Sequence, residues 1–221
     1  MLQGIYAIVD EGILAGEDLV QVARDYLKGG IRLLQYRHKH RNASPEARQH
    51  YLKRAQELGD LRQEIPFTYI INDDLEAFHL VKADGIHVGK DDFSIEECRK
   101  HIGSKIIGYS SHSFEEAVEA QRMGADYVAL GAIYPTTTKG PGHPVQGLEK
   151  LKKVVQALSV PVVAIGGIGR NNVEDVFKTG VAMVAMISAL AWPDSKDRVA
   201  EAGYFVDVAA RLGRVSDLRR V

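Results

Sequence analysis

A single (β/α)8 barrel, a TIM barrel, is the fold predicted by this sequence. Eight short runs rich in apolar and β-branched residues alternate with longer amphipathic stretches. Several of the runs are apolar on both parities, as strands buried on both faces are. Helix-start and helix-stop residues sit at the joins between the two textures. A doubly wound sheet is the competing arrangement, but it commonly uses fewer strands at this length. No linker or low-complexity segment interrupts the pattern, so residues 1–221 read as one domain.

Composition narrows the class of protein. A chain of 221 residues can bury a substantial core. Charged residues are 26% of it, close to the globular average of about 25%. Lys plus Arg is 28 against 29 for Asp plus Glu, so the basic footprint of a nucleic-acid partner is absent. The lone Cys98 excludes an intrachain disulfide and fits a reducing compartment. No apolar run approaches the ~20 residues of a membrane helix. Met1 to Val9 leads straight into Asp10-Glu11 rather than a secretory h-region. The expectation is a soluble, cytoplasmic protein with no membrane partner.

The first predicted strand is Gly4 to Val9 and the second is Ile31 to Tyr36. The second continues into Arg37-His38-Lys39, and Leu33, Gln35, Arg37 and Lys39 share one face by the period of two. Apolar below and cationic above suits a barrel mouth that meets an anion. Ser44-Pro45 then starts a helix with an N-cap and Pro at its first position.

The third strand, Phe67 to Ile71, runs into Asn72-Asp73-Asp74, and the fourth, Gly85 to Val88, into Gly89-Lys90-Asp91-Asp92. One carboxylate from each adjacent loop would hold Mg²⁺, which keeps waters and substrate phosphates as its other ligands. Asp73 and Asp92 are the candidates; Asp74 and Asp91 satisfy the same spacing, and Asp at such positions also caps helices. Ser94 and Ser113 each open an S-x-x-E capping box.

The fifth strand, Ile106 to Tyr109, ends at Ser110, whose hydroxyl no cap accounts for. His87 and His112 read as structural hydrogen-bonding residues. No base stands at a diagnostic spacing from Ser110, which disfavours a hydrolase triad. The sixth strand, Tyr127 to Leu130, leads into Tyr134-Pro135-Thr136-Thr137-Thr138-Lys139. Three hydroxyls and a cation there suit phosphate oxygens, with Lys139 as a point charge.

The seventh strand, Val160 to Ile165, ends in Gly166-Gly167, and the eighth, Val181 to Ile187, ends in Ser188. Loops 7 and 8 form the recurrent phosphate site of barrels. Gly29-Gly30, Gly124 and Gly180 supply left-handed helix stops before strands. A last helix is expected from near Ser195 to about Leu212, followed by an Arg-rich surface tail.

Two anion-binding regions result. Gly167 and Ser188 suit a monophosphate; Arg37, Lys39 and Lys139 with a metal at Asp73 and Asp92 suit a pyrophosphate. Together they suggest a transfer between two phosphorylated small molecules with pyrophosphate leaving.

In this order the motifs resemble the thiamin phosphate synthase family along nearly the whole chain. The resemblance is carried by Leu34 to Lys39, Ile71-Asn72-Asp73, Gly85 to Asp92, Gly108 to Ser113, Tyr134 to Lys139, Ile165 to Ile168 and Met186-Ile187-Ser188. Pro-Thr-x-Thr-Lys is the most specific of them. The resemblance implies a TIM-barrel transferase that joins hydroxymethylpyrimidine pyrophosphate to a thiazole phosphate by a dissociative, Mg²⁺-assisted route. It implies that Gln35, Arg37, Lys39 and Asn72 bind the pyrimidine substrate, with Tyr36 and His38 also among the substrate-binding residues. Ser110, Lys139 and Arg37 would assist the reaction, Thr136, Thr137 and Thr138 would line the thiazole side, and Gly167, Ile187 and Ser188 would cradle its phosphate. It leaves self-association into a homo-oligomer open.

This sequence departs from the family's usual residues at Tyr36, His38, Asp74 and Lys90. Asp74 adds negative charge beside the expected metal, and Lys90 adds positive charge. A thiazole tautomerase is one alternative; it needs a His after the sixth strand, where this chain reads Gly131-Ala132-Ile133. A non-catalytic thiazole- or thiamin-phosphate-binding protein is another. A Schiff-base aldolase would need a strand-interior Lys, and Lys39, Lys90 and Lys139 all fall in loops.

Overall fold

The protein was analysed as a computed structural model that describes residues 2–136, 144–191 and 197–214. Eight parallel strands close into a barrel in sequence order. They are β1 (Gly4–Asp10), β2 (Leu33–Arg37), β3 (Thr68–Asn72), β4 (Gly85–Val88), β5 (Ile106–Ser111), β6 (Tyr127–Gly131), β7 (Val162–Ile165) and β8 (Met183–Met186). β1 pairs with both β2 and β8, so the ring has no edge. Each predicted strand is present, with β2, β7 and β8 starting two residues later than expected.

Helices cover the outside. Those described are α1 (Leu19–Lys28), α2 (Pro45–Asp60), α3 (Leu75–Leu80), α4 (Ile95–Ile102), α5 (Phe114–Arg122), α6 (Gly147–Ala157), α7 (Val173–Lys178), α8 (Ser188–Ala191) and α9 (Arg198–Arg211). Their starts follow the cap chemistry. Ser44 Oγ accepts from Ala47 N, with Pro45 at the first helical position. Ser94 and Glu97 complete a reciprocal capping box. Ser113 caps α5, but its Glu116 accepts instead from His112 N. The last helix is capped by Asp197 and starts at Arg198, three residues after the expected start at Ser195, which lies outside the described residues. Gly30, Gly124 and Gly180 have φ of 98°, 96° and 93°, the left-handed stops expected of them.

Parity along the strands divides the protein into two cores. Tyr6 and Ile8, Leu33, Ile70, Tyr127 and Ala129, Val163, and Met183 and Ala185 fill the barrel. The alternate positions, such as Ala7, Val9, Leu34 and Tyr36, pack outward against the helices. Gly108 faces inward, where a Cβ would overlap the Tyr127 ring. Thus β5 gives up a side chain so that β6 can place a phenol at the barrel centre.

One ion pair joins the loop after β7 to α9. Glu201 is 2% exposed and accepts three hydrogen bonds of 2.6–3.2 Å from the Arg170 guanidinium, which also stacks 4.1 Å from the Tyr204 ring centre. Removing one partner of a buried pair strands the other charge. Arg170→Ala is expected to cost about 2–4 kcal/mol. That should lower the melting temperature by roughly 5–12 °C, with Arg170→Lys intermediate. A thermal melt checks this, and an unchanged transition would mean that water reaches Glu201.

Candidate active site

Inward positions change character at the C-terminal end of the barrel. Tyr6 and Ile8 give way to Asp10, Leu33 to Gln35 and Arg37, Ile70 to Asn72, and Gly108 to Ser110. The mouth is therefore polar because the strands outrun the apolar interior, where barrel enzymes carry their chemistry.

On β2, Gln35 is buried, and its Nε2 donates to the Tyr6 hydroxyl at 2.5 Å. Arg37 forms an ion pair with Asp10, whose carboxylate also accepts from Gly12 N and Ile13 N. Asp10 is 4% exposed and carries no role in the sequence reading; it holds Arg37 from the opposite strand. Lys39 is exposed beyond the strand.

Two of the expected substrate-binding residues do not join this face. Tyr36 is fully buried on the outward parity, stacked 5.1 Å from Tyr51, with its hydroxyl donating to Glu11. His38 stacks on the same Tyr51 and sits beside Glu11. Opposite faces of a strand cannot serve one pocket, so both residues brace the loop rather than line the mouth.

Just past the ends of β3 and β4, the carboxyl groups of Asp73 and Asp92 face one another. Burial, and then the Asp92 charge, push the Asp73 carboxyl up to about 7. Asp73 adopts φ of 56°, and Asn72 Nδ2 donates to its carboxylate. Gly89 N donates to Asp92 at 2.8 Å. Two carboxylates in contact repel unless a proton or cation lies between them. This pair fits a divalent cation that keeps water and phosphate ligands. Among the described residues there is no group of three or more His, Cys, Asp or Glu that would make an all-protein cage.

Asp74 is a different kind of residue from its neighbour. It caps α3 through Ala77 N and is clamped by Arg41 and Arg48. Burial opposes its charge, but the Arg48 and Ala77 hydrogen bonds hold its pKa below the ordinary carboxylate range. Its negative charge is thus neutralised before it reaches the mouth. Arg41 also donates to the Asp73 carbonyl at 2.9 Å, which ties the basic loop after β2 to the acidic turn after β3. Lys90 and Asp91 are exposed.

On β5, Ser110 Oγ lies 2.8 Å from His87 Nε2, and His87 Nδ1 lies 2.9 Å from the Tyr127 hydroxyl. This corrects the expectation that no base stands beside Ser110. The register pairs His87 with Gly108, and Ser110 follows Gly108 on the same inward face. His112 sits by Glu116, away from this contact.

After β7, Gly166 and Gly167 have φ of 100° and 67°. They line an open pocket with Thr136, Ile187 and Ser188. Ser188 is exposed at the start of α8. Both regions inferred from the sequence therefore open on the same barrel mouth. Thr137, Thr138 and Lys139 lie outside the described residues.

Fold and mouth together place the protein among the β/α barrels that gather polar residues at the C-terminal ends of their strands. The sequence profile of the thiamine monophosphate synthase family matches residues 5–190. A thiamine-phosphate synthase from Chloroflexus aurantiacus is 37% identical over 190 residues, 86% of each chain. One from Clostridium acetobutylicum is 37% identical over 187 residues, 84% of this chain and 86% of that one. The structure of thiamine phosphate pyrophosphorylase from Pyrococcus furiosus superposes with a TM-score of 0.84 at 32% identity, covering 95% and 96% of the two chains. The chain belongs to the thiamine monophosphate synthase family, and it is a transferase. Among the described residues no helix is long and apolar enough to cross a membrane.

Proposed function

We propose that the protein condenses 4-amino-5-hydroxymethyl-2-methylpyrimidine pyrophosphate with thiazole phosphate, yielding thiamin monophosphate and pyrophosphate. The reading rests on one observation above all: a single mouth holds both the apposed Asp73–Asp92 pair and the glycine pocket with Ser188. The family's relatives support the same reaction through their names.

Pyrophosphate departs with the electron pair of the C–O bond at the pyrimidine methylene. The thiazole nitrogen then supplies the pair that forms the new C–N bond. Gln35 and Asn72 would orient the pyrimidine, and Arg37, Lys39 and Lys139 would carry the charge that develops on the leaving group. Asp73 and Asp92 would hold Mg²⁺, which when bound neutralises pyrophosphate oxygens. Ser110 would contact the migrating group. Thr136, Thr137 and Thr138 would line the thiazole side, and Gly167, Ile187 and Ser188 would receive the thiazole phosphate. Catalysis of this kind needs positioning and fixed charge rather than a nucleophile.

Purified protein mixed with both substrates and Mg²⁺ should release pyrophosphate and thiamin phosphate in equal amounts, and EDTA should stop both. Absence of product, with thiazole phosphate still bound, would leave a binding protein or a tautomerase. Ser188→Asp sets a negative charge against the substrate phosphate, where like charges cost several kcal/mol. Thiazole phosphate affinity is expected to fall by about 100-fold or more. Because Ser188 is exposed, the melt should be unchanged; calorimetric titration showing wild-type affinity would move the phosphate site elsewhere.

A further inference from the structure

The barrel interior contains an unbroken line of hydrogen bonds that ends on Ser110. Gln35 Nε2 donates to Tyr6 Oη at 2.5 Å, Tyr6 and Tyr127 hydroxyls are 2.8 Å apart, Tyr127 Oη is 2.9 Å from His87 Nδ1, and His87 Nε2 is 2.8 Å from Ser110 Oγ. Tyr6 and Tyr127 are almost completely buried and meet edge to face, while the His87 ring stacks on Tyr127. Both phenols have pKa values raised above the ordinary range by burial, so each keeps one proton.

The direction of the line follows from counting protons. An amide nitrogen has no acceptor lone pair, so Gln35 Nε2 can only give. Tyr6 accepts that bond and has its own proton left for Tyr127. Tyr127 in turn has one proton, and it goes to His87 Nδ1. An imidazole that accepts at Nδ1 carries its proton on Nε2, and that proton points at Ser110 Oγ. The Ser110 lone pair facing His87 is thereby occupied. Its O–H must turn away from His87, toward the mouth.

We infer that Tyr6 and Tyr127 are positioning residues that fix His87 as its Nε2–H tautomer and so make Ser110 a hydrogen-bond donor to the ligand. The contact of Ser110 with His87 resembles the start of a hydrolytic triad, but its polarity is reversed. In a triad the imidazole accepts the serine proton at Nε2, and a carboxylate accepts from Nδ1. Here a phenol donates to Nδ1, and the serine oxygen accepts from Nε2. Ser110 is consequently not activated as a nucleophile. It recognises an acceptor atom, a ring nitrogen or a phosphate oxygen, on whatever occupies the mouth. The choice of that acceptor on the pyrimidine pyrophosphate rests on the function proposed above; the tautomer does not.

The test is nitrogen-15 NMR of the histidine side chains in the ligand-free full-length protein, with His87 assigned from the spectrum of His87→Gln. The wild type should show His87 as the Nε2–H tautomer near neutral pH. Tyr127→Phe keeps the ring and removes the donor to Nδ1, so the His87 signals should shift toward a mixture of tautomers. Tyr6→Phe leaves Tyr127 able to donate, so the Nε2–H tautomer should persist. In turnover assays Tyr127→Phe should lower kcat by about tenfold with little change in KM. Ser110→Ala added to Tyr127→Phe should then cost less than it does alone. A wild-type Nδ1–H tautomer would overturn the inference, because it reverses every bond in the line. Equal tautomer spectra for wild type and Tyr127→Phe would overturn it as well. A protein with no synthase turnover would sink the proposed reaction while the NMR result still decided the tautomer.

Discussion

Asp92→Ala is expected to abolish Mg²⁺-dependent turnover while leaving the protein folded and, without metal at pH 8, more stable than the wild type. The two effects have one origin. Asp73 is buried against the Asp92 carboxyl, and its pKa rises to about 7 for those two reasons in that order. The native state therefore binds a proton more tightly at Asp73 than the unfolded chain does. Metal-free stability is then greatest below the ordinary carboxylate pKa and is lost as the pH rises through about 7. Removing Asp92 removes the repulsion and part of that loss. A gain of about 1–2 kcal/mol is expected above pH 7, where one pKa unit is worth about 1.4 kcal/mol. Below about pH 4 Asp73 is protonated in the folded and the unfolded chain alike, and the gain should vanish. Turnover should fall by about 10³-fold, since metal charge stabilisation amounts to several kcal/mol. Thermal melts in EDTA at the two pH values, beside a pyrophosphate-release assay, measure both effects. Unchanged turnover would take Asp92 out of the metal site. A melt that is equally pH-dependent in both proteins would assign the raised Asp73 pKa to burial alone.

Gly167→Ala is the second large effect. Gly167 has φ of 67°, and a Cβ there would come within 2.6 Å of the Pro135 carbonyl oxygen and 2.7 Å of Tyr134 Cβ. The first obstacle is backbone and cannot swing away. Left-handed strain costs a non-glycine residue about 1–2 kcal/mol, and overpacking adds about 1–3 kcal/mol. The loop after β7 must then separate from the segment around Pro135, which also carries Thr136. Both walls of the glycine pocket would move. The KM for thiazole phosphate is expected to rise by at least about tenfold, because small misplacements of a binding loop are costly. The melting temperature should fall by roughly 5–10 °C. The KM for the pyrimidine substrate, which the proposed function places across the mouth, should change little. Equal increases in both would show that the two substrates share this loop.

Much of the architecture is legible in the sequence because a barrel strand has a strict period. Leu33, Gln35 and Arg37 fall on one parity in the sequence and on one face in the structure. The cap residues Ser44, Ser94 and Ser113 act locally, so the helix starts they mark are nearly right. Tyr36 is not legible in this way, because a motif taken as a string ignores that neighbouring residues point opposite ways. The neutralisation of Asp74 is invisible for another reason. Its partner Arg48 lies 26 residues away on α2, and nothing in a one-residue periodicity pairs the two. Asp10 reads as the mere end of a strand, although an acid at the last inward position of β1 stands opposite Arg37 in the register. The line from Gln35 to Ser110 could be read only in part. Tyr6 and Tyr127 look like ordinary apolar filling until the closed ring brings residues 121 positions apart into hydrogen-bonding distance.

The pairing of β1 with β8 also bears on how the chain is made. On a ribosome the N-terminal strand emerges first, and its unpaired edge waits for a partner that ends at Met186. At about 5–20 residues per second that wait is roughly 10–40 s. Throughout it, a largely apolar strand presents open backbone donors and acceptors, the kind of edge that recruits other chains. Closing the ring is thus a late event of synthesis, and nascent chains released before β8 are the species expected to need chaperone protection.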